Sequence, residues 1–364
     1  MREYRAPLWL PGSHAQTIYP ALLVPRATVA YTREIWTTPD GDNVCVDWCG
    51  DEQGAAAGGP TLLLLHGLEG SSRSHYALGL MRAVAERGWR GAVIHWRGCG
   101  GLVNRAPRAY HSGDSAEADW MIRRMRERSA GPLYAAGVSL GGNVLLKWLG
   151  ERGDEAGRLV AGAGAISVPY DLAAGAAMLE RGFARLYARS FLRTMIPKAL
   201  TMLAAHPGLF DGERLRRAVT LREFDDMFTA PLHGYRDAQD YYARASSQAY
   251  IGGIKVPTLL VSARNDPFLP GRFLPAARAL PPAVSTLFTE QGGHAGFCSG
   301  PLPGRFRWVP AVLFDFLARS SPVHPESAHT TGAHHATAAH HAAPPSPALR
   351  SKSTDHHAAT ERNL

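Results

Sequence analysis

The chain has 364 residues, 45% hydrophobic and 19% charged, enough apolar material for one large α/β domain carrying an insertion. Its formal charge of +8 comes mainly from scattered arginines, and no basic run interleaved with aromatics accompanies it, which argues against nucleic-acid binding. No uncharged apolar run approaches about 18 residues, so a membrane-spanning helix is not expected, and Cys45, Cys49, Cys99 and Cys298 lack the spacing of a metal site or disulfide framework.

The first residues lack a basic start followed by an unbroken apolar stretch, so no secretory leader is expected and a cytoplasmic protein is. Leu8–Leu23, with Trp9, Ile18 and Tyr19, reads either as a strap packed on the domain or as a flank of a ligand pocket. Val29–Trp36 and Val44–Trp48 predict an antiparallel hairpin turned at Pro39-Asp40-Gly41. Short apolar runs then alternate with amphipathic ones, the pattern of a mostly parallel sheet flanked by helices. The predicted strands are Thr61–His66, Gly91–His95, Leu133–Val138, Ala161–Val168, Thr258–Ser262 and Ser285–Phe288. Helices are predicted over His75–Arg87, Glu117–Arg126 and Asn143–Leu149.

About ninety residues separate the strand ending near Val168 from the one starting near Thr258. They are helical in pattern and predict a cap over about 170–250, above the sheet edge where open parallel sheets bind ligands. Arg181, Arg185, Arg189 and Arg193 recur at every fourth position and predict one helical stripe. That stripe reads either as a solvated face or as a peripheral contact with an anionic membrane surface. The domain is expected over 1–320. The Ala-, His- and Pro-rich segment 321–364 has almost no large apolar residues, so it is expected to be a disordered tail. It holds eight of the sixteen histidines, an incidental metal affinity rather than a site.

Gly137-Val138-Ser139-Leu140-Gly141 joins a predicted strand to a predicted helix. This setting makes G-x-S-x-G informative, because the glycines permit a sharp turn that lifts the serine hydroxyl above the sheet. A serine hydroxyl needs a base, and this fold orders its groups as serine, acid, histidine. Asp266, in SARNDP, and His294, in EQGGHAGF, follow two later strands in that order. Ser139, Asp266 and His294 are therefore the candidate nucleophile, acid and base, with Asp171 as the alternative acid. The backbone N–H groups of Leu68, in HGLEG, and Leu140 are the candidate oxyanion donors. His66 reads as a structural residue at its strand end.

The chain resembles the YheT-like branch of the α/β-hydrolases. The resemblance rests chiefly on a spaced pattern from Asp225 through Gly234-Tyr235, Asp240-Tyr241-Tyr242, Ser246, Ile254 and Pro257 to Asn265-Asp266. Pro11–Tyr19 with His14, Gln16 and Thr17, His66–Gly70, Arg97–Gly101 and Tyr110–Asp114 extend it over about residues 5–319. It implies an α/β-hydrolase fold and a serine hydrolase acting on a small-molecule acyl ester, an acylglycerol included, without metal or organic cofactor. An acyltransferase, a peptidase or a non-catalytic ligand-binding protein on the same fold stays open at this point, as do acyl-chain length and oligomeric state.

Overall fold

The computed structural model describes residues 3–320, and the tail expected over 321–364 lies outside the described residues. In chain order the strands are β1 (Thr32–Thr37), β2 (Asn43–Gly50), β3 (Thr61–Leu65), β4 (Arg90–Ile94), β5 (Leu133–Val138), β6 (Gly162–Ile166), β7 (Thr258–Ala263) and β8 (Val284–Thr289). They form one sheet in the order β1-β2-β4-β3-β5-β6-β7-β8. β2 pairs antiparallel with both β1 and β4, and every other pairing is parallel. The principal helices are α1 (Ser13–Leu22), α2 (His75–Ala85), α3 (Ser115–Glu127), α4 (Leu140–Arg152), α5 (Leu172–Leu179), α6 (Arg185–Ala205), α7 (Ala238–Ala245) and α8 (Trp308–Ser320).

Parallel strands joined by helical crossovers are covered on both faces, so their sequences are apolar throughout rather than alternating. β3, Thr-Leu-Leu-Leu-Leu, is buried at every position. Leu62 and Leu64 pack with Leu80 and Met81 of α2 and Val312 and Leu313 of α8. Leu63 and Leu65 face the opposite core, built from Met121 and Ile122 of α3 and Val144 and Leu145 of α4. The two cores fix the sheet between its helix layers and bring the strand ends, with their loops, to one edge.

Residues between β6 and β7 are helical, with α5, α6 and α7 joined by shorter turns, one of them a π-helical turn at Asp225–Thr229. The arginine stripe is shorter than the sequence predicts. Arg181 is extended (φ −115°, ψ 142°) and precedes a 3₁₀ turn at Gly182–Ala184, so only Arg185, Arg189 and Arg193 share α6. The cause is Gly182 at φ 47°, a left-handed backbone that ends the helical register. Two helices are not among those the sequence predicts: α1, within the predicted strap, and α8. Among the described residues no helix is long and apolar enough to cross a membrane.

Candidate active site

Ser139 sits between the last residue of β5 and the first of α4 with φ 52° and ψ −120°. A non-glycine residue held there stores roughly 1–3 kcal/mol of strain. The surrounding glycines make the turn achievable: a Cβ on Gly137 would lie 2.5 Å from the Gly141 carbonyl oxygen, and one on Gly141 would strike the Leu65 carbonyl. Ser139 N–H donates to Ile166 O (2.9 Å), which ties the turn to β6. The hydroxyl therefore stands at the N-terminus of α4, where the helix dipole favours negative charge.

His294 Nε2 lies 2.9 Å from Ser139 Oγ, and His294 Nδ1 lies 2.8 Å from Asp266 Oδ2. The other Asp266 oxygen accepts from the N–H of Phe268 (2.7 Å) and of Leu269 (3.4 Å), fixing the carboxyl in the loop after β7. A carboxylate only accepts, so this geometry suits a proton on Nδ1 and leaves Nε2 to accept from the serine hydroxyl. Phe268 stacks on the His294 ring with centroids 4.0 Å apart and 12° between planes. Asp171, the alternative acid, instead caps α5 by accepting from Ala174 N–H (2.9 Å). His66 is fully buried: Nδ1 bonds Gly67 O (2.8 Å), Nε2 accepts from Trp96 N–H (3.2 Å), and burial lowers its pKa to about 3. It is a structural residue.

The sequence did not assign a role to the residues that hold the histidine loop. Gln16, on α1, accepts at Oε1 from Gly292 N–H (2.9 Å) and Asn265 Nδ2 (2.9 Å), and donates from Nε2 to Gln291 Oε1 (3.1 Å) and Leu10 O (3.0 Å). Thr17 Oγ1 accepts from His294 N–H (2.9 Å). Asn265 Oδ1 takes Gly293 N–H (3.0 Å), and Ser167 Oγ takes Ala295 N–H (2.9 Å). The strap approaches so closely that a Cβ on Gly293 would meet the Gln16 carbonyl carbon at 2.7 Å. Thus α1 fastens the Asp266 loop and the His294 loop together. Gln16 and Thr17 stood out only within the family-like stretch, since nothing in a helix pattern tells which loop it will touch.

The His66–Gly70 loop passes beside Ser139, where a Cβ on Gly67 would lie 3.2 Å from Ser139 Cβ. Gly67 N–H donates to Tyr76 Oη and Glu69 N–H to Tyr110 Oη, each at 3.0 Å. Between them the Leu68 N–H has no partner among the described residues, and neither has that of Leu140 at the head of α4. Glu69 holds φ 53°, accepts from Tyr110 Oη (2.9 Å), and pairs with Lys198 of α6 at 2.9 and 2.8 Å. A cavity of about 380 Å³ opens over Ser139 and Leu140, walled largely by apolar residues of the helical segment between β6 and β7, such as Leu179, Phe191, Met195 and Phe228. Asp225, which begins the family-like pattern, lines it too. Burial pushes that carboxyl up to about pKa 6, while Thr229 Oγ1 and Tyr242 Oη donate to it at 2.7 Å each. Among the described residues no three His, Cys, Asp or Glu side chains are grouped to hold a metal ion.

Comparison with known proteins agrees with this architecture. Residues 60–301 match the alpha/beta hydrolase fold family. "Putative esterase YheT" of Escherichia coli is 40% identical over 310 residues, covering 84% of this chain and 89% of its own. Mouse "Phospholipase ABHD3" is 31% identical over 324 residues, covering 86% and 78%. Among solved structures the Pyrococcus furiosus esterase Pf2001 superposes with a TM-score of 0.50 at 18% identity, over 81% of this chain and 96% of that one, a likeness of fold. A family match across most of the sheet, with a relative so similar over most of both chains, makes this protein a member of the YheT-like, esterase- and phospholipase-related branch of the α/β-hydrolases.

Proposed function

We propose that the protein is a serine esterase that cleaves carboxylic esters through an acyl-enzyme, with Ser139 as nucleophile, His294 as general base and Asp266 as its orienting acid. The observation that carries this reading is the unbroken hydrogen-bonded line from Ser139 Oγ through His294 to Asp266, at 2.9 and 2.8 Å. In the first half-reaction Ser139 Oγ attacks the ester carbonyl carbon while its proton passes to His294 Nε2. The carbonyl π-pair moves onto oxygen, and the unpartnered N–H groups of Leu68 and Leu140 are the donors for that oxyanion. Such a donor is worth about 3 kcal/mol in the transition state. His294 then protonates the leaving alkoxide as the tetrahedral adduct collapses to acyl-Ser139. Water, deprotonated by the same Nε2, attacks the acyl carbon, and the carboxylic acid leaves as Ser139 recovers its proton. The apolar cap cavity suits the acyl chain.

The test is Ser139→Ala. Turnover of p-nitrophenyl esters falls by at least about 10³-fold with the thermal midpoint nearly unchanged, and covalent labelling by a fluorophosphonate disappears. Activity close to wild type in the purified variant puts the nucleophile elsewhere.

A further inference from the structure

Nine large apolar side chains are exposed among the described residues, and four of them are leucines on one surface: Leu8 (100% exposed), Leu22 (69%), Leu23 (65%) and Leu302 (68%). Leu302 is far in sequence from the other three, but its loop is tied to their segment in space. Trp9 Nε1 donates to Gly300 O (3.1 Å), Tyr19 Oη donates to Pro303 O (3.1 Å), and the Trp9 and Tyr19 rings pack edge to face at 5.1 Å. The strap and the 300–304 loop therefore form one face, with leucines projecting from both. Isolated exposed leucines are ordinary, but a cluster of them marks a contact surface.

The rim of this face is cationic. A second cavity, of about 260 Å³, lies between the strap end and the loop, and Arg26, Arg82, Arg305 and Arg307 are among its lining residues. Arg26, Arg305 and Arg307 have no carboxylate partner among the described residues; Arg26 donates only to the carbonyls of Arg73 (2.7 Å) and Ala21 (3.4 Å). Glu86 is bonded by Arg82 (2.7 Å) and held below its usual pKa by that bond and by the charges of Arg82, Arg307 and Arg87. Positive charge thus exceeds negative charge beside the leucines.

We propose that this face, Leu8, Leu22, Leu23 and Leu302 with Arg26, Arg305 and Arg307, docks the protein on an anionic lipid bilayer surface. Leucines enter the headgroup boundary while arginines remain at the phosphates, the division of labour of interfacial membrane binding. A second copy of the chain is a poorer occupant, because a two-fold contact would set these arginines against their own copies. Nucleic acid would use the arginines and leave the leucines in water. The proposal does not depend on the chemistry of Ser139. It would, however, bring the lipid surface to the strap whose Gln16 and Thr17 hold the base loop.

The experiment is co-sedimentation of the full chain with phosphatidylcholine vesicles, with and without phosphatidylglycerol. The wild-type chain sediments with the anionic vesicles at low salt, is released at high salt, and does not bind phosphatidylcholine alone. Leu22→Ser with Leu23→Ser, and separately Arg305→Glu with Arg307→Glu, each lower partitioning at least about 10-fold with unchanged thermal midpoints. Reversal of Arg185, Arg189 and Arg193 to Glu on α6 leaves most of the binding. Absence of binding overturns the proposal, as does loss with the α6 variant alone. Anion-dependent binding that the leucine variant retains in full also overturns it and assigns the surface to a purely ionic partner such as nucleic acid.

Discussion

At the carboxyl edge of the sheet, hydrogen bonds fix the side chains. Asp266 has its three partners, the base loop is bonded through Gly292, Gly293, His294 and Ala295, and one glutamine from α1 bridges the loops. In the cap above, apolar packing does that work, with Leu192, Met202, Phe224 and Phe228 forming a core of their own. The two regions meet at several specific points, among them Lys198 on Glu69, His14 on Tyr187, and Tyr187 against Phe268, which itself stacks on His294. Directional bonds suit a place where atoms must be held to fractions of an ångström. Non-directional packing suits a wall that has only to exclude water and accept alkyl groups. The difference teaches that chemistry and chain-length selection should respond to different mutations.

The largest effect is expected at the edge. Gln16→Ala removes four hydrogen bonds without touching Ser139, Asp266 or His294, and kcat falls roughly 10- to 100-fold by the same factor for short and long esters. A loss confined to long esters would break the comparison, and steady-state kinetics over a series of acyl lengths decides it. Ala199→Leu, in the cap wall, is the converse. It narrows the cavity, so kcat/KM for long-chain esters drops about 10-fold while acetyl esters stay within about two-fold. Equal losses for both would mean that the wall also sets the catalytic geometry. The smallest effect belongs to the tie between the regions. Lys198→Met releases Glu69, whose left-handed backbone adjoins the Leu68 N–H, and kcat falls about 3-fold. Lys198→Arg should restore most of it, and a sodium chloride titration of wild-type kcat should imitate the loss in part. Neither outcome follows if the pair is only a surface ion pair.

Much of the edge could be read from the chain because its constraints are local. A G-x-S-x-G between an apolar strand and a helix fixes a turn, and the order of Ser139, Asp266 and His294 after successive strands fixes which loops meet. The His66–Gly70 loop followed from the end of a buried strand. The arginine stripe was over-read for a local reason as well: a four-residue spacing cannot reveal that Gly182 turns left-handed and leaves Arg181 off the helix. That Leu8–Leu23 packs as a strap was one of two sequence readings, but which loops it holds was not legible. Gln16 and Asn265 are 249 residues apart, and nothing in either neighbourhood announces the other. The same holds for the strap and the 300–304 loop, which are tied through Trp9 and Gly300 and through Tyr19 and Pro303.

By itself, the sequence determined the alternation of strand and helix, the fold that follows from it, and the identity of the three polar residues at the sheet edge. Periodicity and turn chemistry act over a few residues and survive in a linear reading. Tertiary structure alone decided that α1 would tie the Asp266 and His294 loops together, and that the leucine-bearing strap would meet the 300–304 loop. These depend on contacts between segments hundreds of residues apart, and such contacts are selected by packing of the whole core.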